Sequence, residues 1–201
     1  MRKLVAFDMD GTLVDVKSSW AAVHDHFGDH NEEGVRLFNA GKIGDEEFLK
    51  RDIAVWWKHA PDIAIDDLEA ILATVPLMPG AVELLAGLHK AHIRTAILSG
   101  GIDVLAKRVG RELGIDIVLA NGFRMDRNGR LTGEGIIRVP IREKERVLAK
   151  LQADLGISPL ETGSVGNSEI DVGMFRRSSV GVAFLPEDDV VRKGATNIVE
   201  E

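Results

Sequence analysis

Short apolar runs rich in β-branched residues alternate along this chain with stretches of helical periodicity, and that alternation restricts the fold more than any other feature. The runs fall at residues 4–7, 94–98, 117–120, 162–165 and 181–184, with a short one at 197–199. Helical patterns fill the gaps near 79–91, 102–113, 141–155 and 168–177. Such a rhythm predicts an α/β fold: a doubly wound, Rossmann-like parallel sheet covered by helices. With 201 residues, 45% of them hydrophobic, the chain can bury one sizeable core and carry a smaller unit besides.

Two segments break the rhythm. In residues 121–138 a turn-forming Asn128-Gly129 pair separates two alternating runs, which predicts a β-hairpin. Residues 16–76 are helical in pattern and lie where a crossover needs only about a dozen residues. They are read as a small helical cap domain over the carboxyl edge of the sheet, inserted into a core formed by 1–15 and 77–201. Pro76 and Pro79-Gly80 mark the return to that core.

A formal net charge of -7 leaves no positive surplus for a nucleic-acid backbone, so no nucleic-acid partner is expected. With no cysteine, disulfides, thiol nucleophiles and thiolate metal sites are excluded. The basic start "MRKLVAFDMD" loses its apolar stretch at Asp8, and no run reaches the length of a membrane span. The expectation is a soluble cytoplasmic protein with no membrane partner. His24, His26 and His30 are not a zinc set, because the first two point apart on a helix and no thiolate completes them. Trp56-Trp57 suits either the mouth of a cavity or the packing of the insert itself.

In an open α/β sheet, ligands bind beyond the carboxyl ends of the strands, and four polar groups fall there. Asp8 and Asp10 follow the first run, Ser99-Gly100-Gly101 the second, Lys144 opens a helix, and Gly166-Asn167-Ser168-Glu169-Ile170-Asp171 follows a later run. Taken singly, each is compatible with an ordinary turn or a solvated charge.

In this order and spacing they resemble the haloacid dehalogenase superfamily of phosphohydrolases: D-x-D-G-T, then Ser after the second core strand, then Lys, then a Gly- and acid-rich loop. "ILSGG", the hairpin "NGFRMDRNGRLTGE" and the helical insert are similar to the phosphoserine phosphatase branch. The resemblance implies a magnesium-dependent phosphomonoester hydrolase with Asp8 as nucleophile, forming an aspartyl-phosphate, and Asp10 as acid and base. It implies that Ser99, Gly100 and Lys144 hold the phosphate, with Gly101 beside the substrate. Mg²⁺ would lie among Asp8, the backbone carbonyl of Asp10, Asn167 and Asp171. The implied partner is a small phosphorylated metabolite, phosphoserine or a similar anion, acted on by a monomer or homodimer. The alternatives are a weakened or inactive phosphometabolite-binding protein and a phosphotransferase.

Two positions depart from the branch. Asn167 stands where it has Asp, so fewer formal charges face the cation and weaker metal binding is expected. Lys17 stands where it has an acid for the substrate ammonium, which favours a second anionic group instead. Lys50 or Arg51 is assigned to the substrate carboxylate.

Overall fold

The computed structural model describes residues 3–200. Its centre is a seven-stranded sheet, and strand β1 (Leu4–Phe7) is buried along its whole length. In parallel on either side lie β2 (Arg94–Ile102) and β5 (Thr162–Gly166), with Leu4 opposite both Arg94 and Thr162. Beyond β2 come β3 (Ile117–Met125) and the antiparallel β4 (Leu131–Ile136); beyond β5 come β6 (Val180–Phe184) and β7 (Asn197–Val199). The two sides of β1 read directly from its alternation. Leu4 and Ala6 pack with Leu148, Leu151 and Met174, while Val5 and Phe7 join Leu85, Leu105 and Val109.

Three expected elements differ in extent. The second strand runs on to Ile102, because Ser99 and Ile102 both pair with β3 across a register shift. The third strand continues into the hairpin, pairing first with β2 and then with β4; Gly129 (φ 78°) turns the chain, and Asp126 Oδ1 accepts from the Asn128 and Arg130 amides. The helix expected at 168–177 is a 3-10 turn at Glu169–Asp171 followed by a short helix, Val172–Arg176.

Four helices occupy the insert: α1 (Ser19–Phe27), α2 (Glu32–Asn39), α3 (Asp45–Trp57) and α4 (Ile65–Leu72). They do not enclose a core of their own. Trp56 is fully buried, stacked on Trp20 at 5.6 Å and edge-on to Phe123 of β3, and one apolar cluster runs from the sheet through Val23, Ile53 and Leu68. The hairpin is part of this assembly. A Cβ on Gly133 would come within 2.5 Å of Trp57, and one on Gly135 within 2.8 Å of Leu49. Backbone bonds from Leu131 to Ile63 and from Ile65 to Gly129 stitch the two segments together. Helices α5 (Ala81–Lys90), α6 (Asp103–Leu113), α7 (Lys144–Leu155), α8 (Val172–Arg176) and α9 (Asp189–Gly194) cover the sheet. Among the described residues no helix is long and apolar enough to cross a membrane.

Candidate active site

Because β1 lies between β2 and β5, the residues that follow these three strands converge at one edge. Asp8, whose amide donates to Val165 at 2.9 Å, stands there beside Lys144, the first residue of α7. Lys144 is fully buried, its Nζ 2.8 Å from Asp8 Oδ1 and 2.7 Å from Asp171 Oδ1. Burial works against its charge, but the carboxylates of Asp171 and Asp8 outweigh it and hold the ammonium above its ordinary range. Burial, opposed by Lys144 and reinforced by Asp171, lifts the Asp8 carboxyl well above the usual carboxylate range. Lys144 takes Oδ1 of Asp8, which leaves Oδ2 for an incoming group.

Asp10 is held differently. Its Oδ2 accepts from the amide and the hydroxyl of Ser19, both at 2.8 Å, while Oδ1 is buried without a partner. Burial raises the Asp10 pKa and the Ser19 bonds pull it back only in part. Ser19 also accepts from the Ile102 amide at 2.9 Å, tying α1 to β2. The sequence reading missed Ser19, although the Ser18-Ser19 pair is a helix-start signal: Ser18 caps α1 through the Ala21 amide.

Ser99 is buried and its hydroxyl accepts from the Gly101 amide at 3.0 Å. The turn expected to open a helix here is a bulge within β2, and α6 begins only at Asp103. Gly101 has no room for a side chain: a Cβ would lie 2.6 Å from Ser19 Oγ and 2.7 Å from Asp10 Oδ2. The Gly100 carbonyl accepts from Trp20 Nε1 at 3.1 Å and from Asn121 Nδ2 at 3.3 Å. Asn121, another residue the sequence reading missed, is fully buried and also binds the Val139 carbonyl and the amides of Arg138 and Val139. It thereby joins the Ser99 bulge to the segment that leads into Lys144.

The last loop corrects one expectation. Asp171, expected as a metal ligand, is fully buried with both oxygens occupied: Oδ1 by Lys144, Oδ2 by the amides of Asn167 and Ser168 and the Ser168 hydroxyl. It anchors Lys144 and the loop. Asn167 is 6% exposed, with Nδ2 3.4 Å from Glu187 Oε1 and Gly11 pressed against it. No group of three or more His, Cys, Asp or Glu among the described residues is arranged to hold a metal ion. Asp8, Asp10 and Asn167 nevertheless line one cavity, and their oxygen donors are of the kind a hard divalent cation takes.

Asp8, Asp10, Ser99, Gly100, Lys144 and Asn167 open onto one cavity of about 900 Å³, lined also by Lys17, Trp20, His24, Asp52 and Glu187. Lys17 lies on its wall. Lys50 and Arg51 do not: Lys50 is exposed, and Arg51 pairs with Glu47 at 2.8 Å. The reason is helical phase. Leu49, Asp52, Ile53 and Trp56 form the buried stripe of α3, so position 52 faces inward and 50 and 51 fall outside the stripe.

A mostly parallel sheet that gathers a buried Asp-Lys pair, a second acid two residues on and a buried serine in a strand bulge at one edge marks an α/β protein of the phosphohydrolase class. The profile of the haloacid dehalogenase-like hydrolases matches residues 5–176, and the chain belongs to that family. It is 32% identical over 190 residues to a phosphoserine phosphatase of Archaeoglobus fulgidus, covering 91% of this chain but 52% of that protein, so the chain spans about half the length of this relative. A phosphoserine phosphatase of Wolinella succinogenes is 32% identical over 203 residues, covering 99% of this chain and 95% of the relative. The fold superposes with a TM-score of 0.81, at 25% identity, on a solved structure described as a phospho-aspartyl intermediate analogue of phosphoserine phosphatase; the match covers 100% of this chain and 94% of that one. By family and relatives the chain is an enzyme of the phosphatase class.

Proposed function

We propose that this enzyme hydrolyses a small phosphomonoester, phosphoserine or a close analogue, through an aspartyl-phosphate on Asp8. The observation that carries the reading is the pairing of Asp8 with the buried Lys144 beside an Asp10 held by Ser19, all in one cavity. Asp8 Oδ2 attacks phosphorus while the substrate's ester oxygen leaves; Asp10 gives that oxygen a proton and then takes one from the water that cleaves the acyl phosphate. Lys144 offsets the charge of both the nucleophile and the phosphoryl oxygens, and Ser99 with the Gly100 amide orients those oxygens. Asp8, the Asp10 carbonyl and Asn167 would hold a divalent cation, proposed as magnesium, which would supply charge neutralisation for the phosphate.

Residues 16–76 are proposed as a cap domain on a core of 1–15 and 77–201, moving to admit substrate and then exclude water. The cytoplasm is the proposed site of action, with the enzyme a monomer or homodimer. The neutral amide at Asn167 favours a second reading, in which a phosphometabolite is bound and turned over slowly or not at all. One experiment separates the two: phosphate release from phosphoserine with excess Mg²⁺, by the parent and by Asp8→Asn. Release by the parent alone, with an acyl phosphate trapped on Asp8, supports the hydrolase. Equal release by both, or none by the parent, overturns it.

A further inference from the structure

A second buried acid lines the cavity, and nothing in the proposed chemistry uses it. Asp52 on α3 is 2% exposed. Its Oδ1 accepts from His24 Nε2 at 3.0 Å and Asn31 Nδ2 at 2.8 Å, whereas its Oδ2 is buried without any donor. His24, Asn31 and Asp52 all line the same cavity as Asp8 and Lys144.

Pinning α1 to α3 requires only the oxygen that His24 and Asn31 already share, and an amide would serve that purpose. A buried carboxylate oxygen without a donor, on a residue that lines a cavity, is costly unless a donor reaches it. The distance suits a small molecule. Helix α1 starts at Ser19, which grips Asp10, and His24 lies five residues on, about 7.5 Å along the axis at 1.5 Å per residue. Lys17, on the same wall system, offers a positive charge for a second anionic group.

We propose that Asp52, held by His24 and Asn31, is the specificity residue that receives a protonated amine of the substrate, so that the cavity selects compact aminoalkyl phosphomonoesters. The inference rests on the phosphomonoesterase reading and adds which residue recognises the amine. Phosphoserine and phosphoethanolamine carry such a group; phosphoglycolate and glycerol phosphate do not.

The test compares kcat/KM on these four compounds for the parent and Asp52→Asn, which keeps an acceptor for His24 and Asn31 but replaces the free oxygen by a donor. The ratio of phosphoethanolamine to phosphoglycolate should fall by about tenfold or more, through KM rather than kcat. An unchanged ratio overturns the proposal, and an equal loss on glycerol phosphate overturns it in favour of a hydroxyl site. A second measurement needs neither turnover nor a variant: 3-aminopropylphosphonate, the uncleavable carbon analogue of phosphoethanolamine, added to the unaltered protein with Mg²⁺ should shift the His24 Nε2 resonance in a nitrogen spectrum, and 3-phosphonopropionate, the analogue of phosphoglycolate, should not. The same response to both ligands, or to neither, also sinks the assignment. Absence of phosphate release from every compound would count against the hydrolase reading alone, since the spectrum still reports on Asp52.

Discussion

Single atoms decide much of this site. Asn167 presents an amide where another carboxylate would add charge beside Asp8, so Asn167→Asp should tighten Mg²⁺ binding on the order of tenfold, read by calorimetry, and raise turnover; unchanged affinity would show that the loop's charge is not limiting. Ser19→Ala removes one of the bonds that lower the Asp10 pKa. With that bond gone the Asp10 carboxyl titrates at higher pH, so the limb of the pH-rate profile set by Asp10 should move upward. The Ile102 amide also loses its acceptor, at about 1–3 kcal/mol of stability in thermal unfolding. Asp8, Asp10, Ser99 and Lys144 were legible in the sequence because each follows or opens an element whose position the alternation dictates. Ser19 and Asp52 were not, since their partners lie far along the chain: Ile102 for the one, His24 and Asn31 for the other.

Elements show where pattern reading succeeds and where it slips. β1 was recognisable because it is apolar on both faces, while the length of β2 depended on pairing with β3 across the bulge. On α3, the phase of Leu49, Ile53 and Trp56 was available in the sequence and points to position 52, yet the basic cap residue implied by the family resemblance drew attention to Lys50 and Arg51. The junction between α7 and β5 offers a separate test. Hydrogen bonds to Glu161 from Lys3 and from Ser158 lower its pKa from 4.5 to about 2. A depressed folded pKa means stability that is present above pH 4.5 and lost as pH falls through 2. In denaturant melts, Glu161→Gln should therefore be less stable than the parent at pH 6, with the gap closing toward pH 2. A constant gap would deny the linkage.

At the scale of the whole molecule, the continuous apolar cluster from sheet to insert predicts one cooperative transition. Trp56→Ala, which empties the point where α3 meets Trp20 and Phe123, should cost about 3–5 kcal/mol and lower the melting temperature of the entire chain. Circular dichroism and tryptophan fluorescence should report the same midpoint; separate midpoints would mean that the insert folds independently. The backbone bonds from Leu131 to Ile63 and from Ile65 to Gly129 carry a further consequence for engineering. A chimaera that grafts residues 16–76 onto a related scaffold would leave behind the β-ribbon on which Trp57 and Leu49 rest. Substrate preference should transfer only when residues 121–138 travel with the graft, two stretches far apart in the gene acting as one heritable module.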